Sequence, residues 1–360
     1  MEAGPLAQPA IGDSARAAVS YINKYMSGVD GRPIELDQCF VDGSPESSAK
    51  CATQFVANGT QVVAMALDFT DAALLPVLAE AGITVIGQQP FSEADYTTET
   101  AHYFAGSQIG SAYGLALYLR DEIKPKSVSV LTNGSAGAKS RLETFIVPAL
   151  EQAGVTDVNT VVIDPSQPDF SVIVAAALSN SPDLIFGFLQ ESDCTKLVTT
   201  ARQLNFTGDI VAGNCAEFVT DSGDAAEGVY VVGDMYNPYD DTKATPRAKE
   251  ELKLFLDAME EFAPDRSIGV FTQFMFAGIM NLRNLMVGVG ADNYSSEAVE
   301  AAMAATDGEP SFMAESYGCA PEPVPGYSVC GASTLIFQVR DGKLVQASDW
   351  IFGPDLWADN

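Results

Sequence analysis

The stretch Ser127-Val128-Ser129-Val130-Leu131, followed by a helical pattern over 140–153, decides the fold class. A run of β-branched and apolar residues predicts a buried strand, and apolar residues at helical spacing predict a helix that packs on it. The same alternation of strand and helix already runs through the preceding part of the chain. Repeated units of this kind are typical of parallel sheets covered by helices. The sequence therefore predicts an α/β protein built from two similar lobes.

The alternation forms two series, separated near residue 123. The first predicts helices at 15–26, 45–58, 71–81 and 111–120, with strands at 34–36, 61–65 and 83–86. The second predicts strands at 127–131, 158–163, 183–187, 210–212 and 229–232, with helices at 140–153, 171–178 and 195–204. Helices alone follow at 248–262, 270–287 and 296–305. Strands 334–339 and 344–347, joined at Asp341-Gly342, predict a closing β-hairpin.

Length and charge limit the partners. The 360 residues predict about two domains, and 19 Lys and Arg against 48 Asp and Glu give a net charge of −29. Nucleic acid and anionic membrane surfaces are polyanions, so such a chain is not expected to bind them. The most apolar stretch, 268–289, contains Gln273, Asn281 and Arg283, which indicates a buried helix and not a membrane span. A soluble globular protein is expected.

The six cysteines fall as three local couples: Cys39 and Cys51, Cys194 and Cys215, and Cys319 and Cys330. Six cysteines allow fifteen pairings. Pairing within the couples closes short loops, and each such bond would stabilise the fold by about 3 kcal/mol. The chain has no C-x-x-C motif, and its single histidine, His102, has no neighbouring cysteine, so no metal site is predicted. An even, clustered set favours an oxidising compartment.

The motifs of common enzyme classes do not occur. The sequence Asn133-Gly134-Ser135-Ala136-Gly137 resembles G-x-S-x-G, but an asparagine stands at the first glycine. Gly288-Val289-Gly290 lies at a helix end, where a dinucleotide fingerprint does not function. A single histidine leaves the commonest general acid and base almost absent. An enzyme is therefore the weaker class, no cofactor is predicted, and a carboxylate-based hydrolase is kept as a remote alternative.

Three short motifs occur in a specific order: Ala18-Val19-Ser20-Tyr21-Ile22-Asn23 followed by Gly31-Arg32-Pro33-Ile34-Glu35-Leu36, then Pro76 to Ile83, then Asp169-Phe170-Ser171 with Pro182-Asp183-Leu184-Ile185. In order and spacing they resemble the type I periplasmic solute-binding proteins of ABC importers, in the branched-chain amino acid (leucine-binding-like) group. The resemblance implies two lobes, 1–122 plus 247–325 and 123–246 plus 326–360, with a ligand cleft between them.

Ligands of parallel α/β sheets bind at the carboxyl ends of the strands. The candidate ligand-binding residues are therefore those in the loops that follow predicted strands. They are Asp68, Phe69 and Thr70; Gln88 and Gln89; Gln108; Asn133 and Ser135; Gln190 and Glu191; Asn214; and Tyr236.

Three features depart from the family pattern. The family begins with a strand, whereas here Met1 directly precedes Glu2-Ala3-Gly4-Pro5-Leu6, so the first strand and the export signal are expected to be missing through truncation. Asp68 replaces a serine-rich loop that takes an amino-acid carboxylate, and a carboxylate at that place repels another. Ala136-Gly137 replaces a frequent Tyr-Gly. A plain leucine-type ligand is therefore disfavoured.

The resemblance implies an extracytoplasmic protein, periplasmic or a cell-surface lipoprotein, that is monomeric. It would bind a small polar or amino-acid-like solute by hinge closure and present it to ABC permease subunits. Contact with the membrane would be through a lipid anchor or the permease. A sensory or regulatory ligand-binding module of the same fold is the alternative.

Overall fold

The computed structural model describes residues 8–134, 136–163, 169–189, 191–266 and 268–357. Unit 1 comprises the residues up to Ser107 and Ala244–Gly331, and unit 2 comprises Gln108–Lys243 and the residues from Ala332 onwards. Each unit has parallel strands flanked by helices, which confirms the predicted fold class. Within the described ranges, no helix combines the length and apolar character that crossing a bilayer requires.

The helices of the described ranges, in chain order, are α1 (Pro9–Tyr25), α2 (Pro45–Asn58), α3 (Leu75–Glu80), α4 (Glu93–Thr97), α5 (Gln108–Tyr118), α6 (Ala136–Arg141), α7 (Val147–Gln152), α8 (Phe170–Leu178), α9 (Glu191–Gln203), α10 (Phe218–Ser222), α11 (Pro246–Phe262), α12 (Val270–Val289), α13 (Ser296–Ala304) and α14 (Pro354–Trp357). Short 3₁₀ or π segments cover Asp71–Ala73, Leu119–Ile123, Leu142–Ile146 and Gly223–Ala226.

The strands are β1 (Val62–Met65), β2 (Thr84–Gly87), β3 (Ala101–Tyr103), β4 (Ser127–Asn133), β5 (Asp157–Ile163), β6 (Leu184–Phe188), β7 (Asp209–Val211), β8 (Tyr230–Gly233), β9 (Ser333–Arg340), β10 (Lys343–Gln346) and β11 (Ile351–Phe352).

Unit 1 contains a parallel sheet with strand order β1-β2-β3. The register pairs Met65 with Gly87, so β1 and β2 end side by side. Helices α12 and α13 cover the sheet, and their apolar residues form a core with Ile86 and Phe104. The hydroxyl of Ser296, at the start of α13, accepts a hydrogen bond from the backbone N–H of Thr84 at 2.7 Å. This bond fixes the helix over the beginning of β2.

The predicted strand at Ile34–Leu36 does not form, and this prediction is wrong. The backbone N–H of Ile34 donates to Asn23 Oδ1 at 2.7 Å, and its carbonyl accepts from Asn23 Nδ2 at 2.9 Å. The side-chain amide of Asn23 on α1 thus occupies the backbone groups of Ile34 that would otherwise pair with a neighbouring strand. A strand is stable only where another strand pairs with it, and the described residues provide none beside this segment.

Unit 2 contains a larger sheet with strand order β10-β9-β8-β7-β6-β4-β5, to which β11 adds beside β9. Strands β4 to β8 are parallel, and β9 and β10 form the predicted antiparallel hairpin. Asp341 and Gly342 at its turn have φ angles of 52° and 69°, the left-handed conformation that a two-residue hairpin loop needs. Helix α5, which the sequence assigns to the first lobe, packs on β9 in unit 2.

Three disulfide bonds join the cysteines within their local couples: Cys39–Cys51, Cys194–Cys215 and Cys319–Cys330. The first ties the extended segment after α1 to α2, and the third closes the loop that follows α13. None of the cysteines is free in the described chain.

Because all six cysteines form disulfide bonds, no thiol is expected to react in the folded, unreduced protein. Titration with a chromogenic thiol reagent should detect none before reduction and six after reduction in denaturant. Two or more reactive thiols in the native protein would contradict these pairings.

Candidate functional site

The carboxyl ends of β1 and β2 bring five of the predicted ligand-binding residues to one edge of the unit 1 sheet. Asp68, Phe69 and Thr70 follow β1, and Gln88 and Gln89 follow β2. Because β1 and β2 are adjacent and parallel, their loops are neighbours. The topology thus collects residues that are about twenty positions apart in the sequence.

Asp68 holds the first of these loops in place. Its Oδ1 accepts hydrogen bonds from the backbone N–H and the hydroxyl of Thr70, both at 2.8 Å, and its Oδ2 accepts from Ser48 Oγ at 2.6 Å. Both carboxylate oxygens are therefore engaged inside the protein. Phe69, between the two polar residues, is 38% exposed. The loop therefore exposes part of the Phe69 ring and keeps the Asp68 carboxylate buried.

Gln88 and Gln89 are buried, with 4% and 5% of their surface exposed. Asn281 Nδ2 donates to Gln88 Oε1 at 3.2 Å, whereas Gln88 Nε2 and Gln89 Oε1 have no hydrogen-bond partner in the described structure. Both residues line a cavity of about 20 Å³. That volume fits one water molecule, which would satisfy buried amide groups of this kind.

Four phenylalanines form an aromatic wall beside these loops: Phe69, Phe91, Phe271 and Phe274. The ring centroids lie 6.3 Å apart for Phe69 and Phe91, and 6.0 Å apart for Phe91 and Phe271. These are ordinary spacings for edge-to-face and tilted rings. Phe91 lies in the loop after β2, and Phe271 is the second residue of α12. The sequence signal that was missed is therefore their position in a loop after a strand and in the first turn of a helix.

A pair of buried carboxyl groups, Asp71 and Asp95, lies behind the wall. Burial first, and then the neighbouring Asp95, raises the pKa of Asp71 to about 9. Burial also raises the pKa of Asp95, whose Oδ2 accepts from the backbone N–H groups of Phe91 and Ser92 at 2.8 and 3.1 Å. The hydroxyl of Tyr103 donates to the other oxygen of Asp95. One proton is therefore retained between the two acids at neutral pH, and the pair positions Phe91.

Unit 2 places a second group of predicted residues at the carboxyl edge of its own sheet. Asn133 ends β4, Glu191 follows β6 and Asn214 follows β7, and these three strands are neighbours in the order β7-β6-β4. Asn214 is exposed. Ser135 and Gln190, also predicted here, lie outside the described residues.

Glu191 has a structural role in this edge. Its two carboxylate oxygens accept hydrogen bonds from the backbone N–H groups of Ala216 at 2.8 Å and Glu217 at 3.1 Å. Burial raises the pKa of this carboxyl group. Glu191 thereby ties the start of α9 to the loop before α10.

Tyr236 and Gln108 complete the predicted set. Tyr236 is buried, and its hydroxyl accepts a hydrogen bond from Trp350 Nε1 at 3.0 Å. The two rings are perpendicular, with centroids 5.3 Å apart. Gln108 is the first residue of α5 and is half-buried. Trp350 was missed because it lies more than a hundred residues from Tyr236 in the sequence.

A group of residues with metal-binding chemistry also occurs in the described part of unit 1. His102, Cys319 and Cys330 have their candidate ligand atoms within 4.8 Å of one another. Both sulfur atoms belong to one disulfide bond, so they are not the thiolates that metal ions bind.

Comparison with known proteins gives one family and many structural relatives. A model of the family described as "Periplasmic binding protein" matches residues 2–320. Leu/Ile/Val-binding protein homolog 3 of Brucella melitensis biotype 1 is 24% identical over 354 residues, which covers 95% of this chain and 90% of that protein.

Solved structures with similar folds include a leucine-binding protein from Thermotoga maritima, with a TM-score of 0.77, 17% identity, and coverage of 98% of this chain and 97% of that one. A branched-chain amino acid substrate-binding protein of Streptococcus pneumoniae in complex with isoleucine has a TM-score of 0.73, 18% identity, and coverage of 96% and 97%. A solute-binding protein of R. palustris in complex with benzoate has a TM-score of 0.73, 14% identity, and coverage of 96% and 94%.

Proposed function

We propose, since the chain belongs to the periplasmic binding protein family, that it is the solute-binding subunit of an ABC importer for a small polar or amino-acid-like solute. The family match over residues 2–320 is the observation that carries this proposal. The family membership confirms the resemblance inferred from the sequence, and the family implies an extracytoplasmic location. The family and the relatives are solute-binding proteins and not enzymes.

The proposed solute combines a polar group with an apolar part. The aromatic wall of unit 1 supports the apolar part of this proposal, because Phe69 is 38% exposed and Phe91 is half-buried beside it. Aromatic rings at the carboxyl edge of a sheet provide a surface for an apolar or aromatic group. Phe69 and Phe91 are the proposed contacts, and Asp68 is proposed to position Phe69 without touching the solute. This assignment departs from a direct role for Asp68, because both of its oxygens already accept hydrogen bonds.

Unit 2 is proposed to supply polar contacts from Asn133, Ser135, Gln190, Asn214 and Tyr236. Glu191 is proposed to position its loop, for the same reason as Asp68. The proposed mechanism is hinge closure of the two units on the solute, in which the solute binds the closed state more tightly and so shifts the population towards it. The closed protein would then deliver the solute to permease subunits.

A thermal-shift screen tests the proposed function. The panel contains branched-chain amino acids, amides, polyamines and aromatic carboxylic acids, each at millimolar concentration. We expect at least one class to raise the melting temperature by about 3 °C or more, as binding at one hundred times Kd stabilises a protein by about 2.7 kcal/mol. The absence of any shift across the panel would contradict the proposed solute range.

A further inference from the structure

His102, the single histidine of the chain, lies beside a disulfide bond in unit 1. It is the middle residue of β3, and one of its ring nitrogens and the sulfur atoms of Cys319 and Cys330 lie within 4.8 Å of one another. In a tetrahedral zinc site, with Zn–S bonds of about 2.3 Å and Zn–N bonds of about 2.0 Å, neighbouring ligand atoms are about 3.3–3.8 Å apart. The three atoms are thus near the spacing that zinc requires, except that the two sulfurs are bonded to each other.

Backbone hydrogen bonds hold both cysteines in place in addition to their disulfide bond. The N–H of Cys330 donates to the carbonyl of Tyr103 on β3 at 2.8 Å, and its carbonyl accepts from the N–H of Gly318 at 2.7 Å. The N–H of Cys319 donates to the hydroxyl of Thr306 at 3.1 Å. We therefore expect the two thiols to stay beside β3 when the disulfide is opened. A metal site formed from them then requires little further ordering of the chain.

The imidazole of His102 carries a nitrogen without a hydrogen-bond partner. Its Nε2 is buried and makes no hydrogen bond to any described residue. Glu300 Oε1 lies 4.0 Å from this nitrogen, and the other oxygen of Glu300 accepts from the hydroxyl of Thr84 at 3.1 Å. A histidine that binds a metal ion through one nitrogen commonly donates from the other to a carboxylate. His102 and Glu300 therefore have the arrangement of a metal ligand and the carboxylate that supports it.

Solvent has access to one side of this disulfide. Cys319 is half-buried, whereas Cys330 is buried, and both members of the Cys194–Cys215 bond are buried. Exchange with a dithiol requires access to a sulfur atom. We therefore expect the Cys319–Cys330 bond to be reduced before the Cys194–Cys215 bond.

We propose that reduction of the Cys319–Cys330 disulfide creates a zinc site whose ligands are His102, Cys319 and Cys330. The reductant is a dithiol: the S–S bond breaks, the dithiol is oxidised to its own disulfide, and its two thiol hydrogens pass to the cysteines. Zinc then binds both sulfurs as thiolates and releases their two protons. Thiolate and imidazole ligands favour zinc over magnesium or calcium. This inference goes beyond the proposed function, because it requires no solute.

The test uses Co²⁺ as a spectroscopic probe, because it takes the same ligands as zinc and absorbs light when thiolates bind it. Each protein is reduced with a dithiol and separated from the reductant without oxygen. The wild type is compared with three variants: Cys319→Ser with Cys330→Ser, Cys39→Ser with Cys51→Ser, and His102→Ala. The second variant also lacks two cysteines and one disulfide, so it is the matched control for the loss of a thiol pair.

We expect the reduced wild type to bind one Co²⁺ per chain, with a sulfur-to-metal charge-transfer band that added Zn²⁺ abolishes. The oxidised wild type and the first variant should lack the band, and the second variant should behave like the wild type. His102→Ala should bind about a hundredfold more weakly or less, and Glu300→Gln about tenfold more weakly.

An absent band in the reduced wild type, or an equal band in the variant without Cys319 and Cys330, would overturn the proposal. Circular dichroism follows the fold of every protein. If reduction unfolds the wild type, added Zn²⁺ should restore its ellipticity and should not restore that of His102→Ala. Equal ellipticity of these two proteins in the presence of Zn²⁺ would likewise overturn the proposal.

Discussion

Replacing Asp71 with Asn is expected to raise the melting temperature by about 1–4 °C at pH 8 and by less than about 1 °C at pH 4. Asp71 is 1% exposed, and its pKa in the folded protein is raised from 3.8 to about 9. The native state therefore holds a proton that the unfolded chain loses above about pH 4. Retaining that proton costs free energy, which we place at about 1–3 kcal/mol at pH 8 after allowing for relaxation.

The sign of the pH dependence follows from this shift. Below the unfolded pKa of 3.8 both states carry the proton, and the group contributes nothing to the difference in stability. As the pH rises towards about 9, the unfolded state gives up its proton and the native state does not, so the stability of the wild-type protein falls. The asparagine side chain does not titrate between these pH values. Its amide keeps the donor towards Asp95 and the acceptor for the Ser92 hydroxyl, which is 2.5 Å from Asp71 Oδ1.

Two substitutions serve as controls for this prediction. Asp307→Asn removes an exposed carboxylate of unit 1 and should leave the melting temperature unchanged within about 1 °C at both pH values. Asp95→Ala should destabilise the protein at every pH, because it removes the acceptor for Phe91, Ser92 and Tyr103. A melting temperature for Asp71→Asn that is equal to or below that of the wild type at pH 8 would contradict the shared-proton description.

Replacing Phe91 with Ala is expected to weaken solute binding by about 10- to 100-fold. The Phe91 ring packs against both Phe69 and Phe271 in the aromatic wall. Its removal therefore takes away one proposed contact and the support of Phe69, the other proposed contact. Phe91→Leu keeps an apolar surface and should lose less affinity. Binding is measured by titration calorimetry with the solute that gives the largest thermal shift.

The matched control for this prediction is Val56→Ala on α2, which shortens an apolar side chain that is 41% exposed and does not belong to the aromatic wall. It should bind solute like the wild type. Circular dichroism establishes that each variant is folded. A folded Phe91→Ala variant with an unchanged Kd would show that the wall does not contact the solute.

Local signals made some elements predictable from the sequence. Helix α2 has the predicted bounds, because Ser44 caps its start by accepting from the backbone N–H of Ser47, and Gly59 ends it at a φ of 68°. The turn at Asp341-Gly342 is equally local. Strand β3 was missed because its three residues form a strand only through pairing with β2. The strand predicted at Ile34–Leu36 fails for the opposite reason, since its pattern is typical of a strand but no strand of the described residues pairs with it.

In the candidate site, too, some features follow from local sequence signals and others depend on distant residues. The alternation of strand and helix patterns predicts the loops that follow parallel strands. Asp68, Gln88 and Asn133 lie in or next to such loops. Whether a side chain in such a loop faces a ligand or holds the loop depends on distant residues. Ser48 engages Asp68, and the backbone of Ala216 engages Glu191, and neither contact has a sequence signal. The pair of Asp71 and Asp95 likewise arises only in the folded chain.

Titration calorimetry of the 360-residue protein with the leading solute of the thermal-shift screen tests the central claim most directly. A solute-binding subunit should give one site per chain with a Kd in the micromolar range or tighter, and the solute should be recovered chemically unchanged after prolonged incubation. A binding isotherm that does not fit one site per chain, or conversion of the solute into a product, would contradict the account.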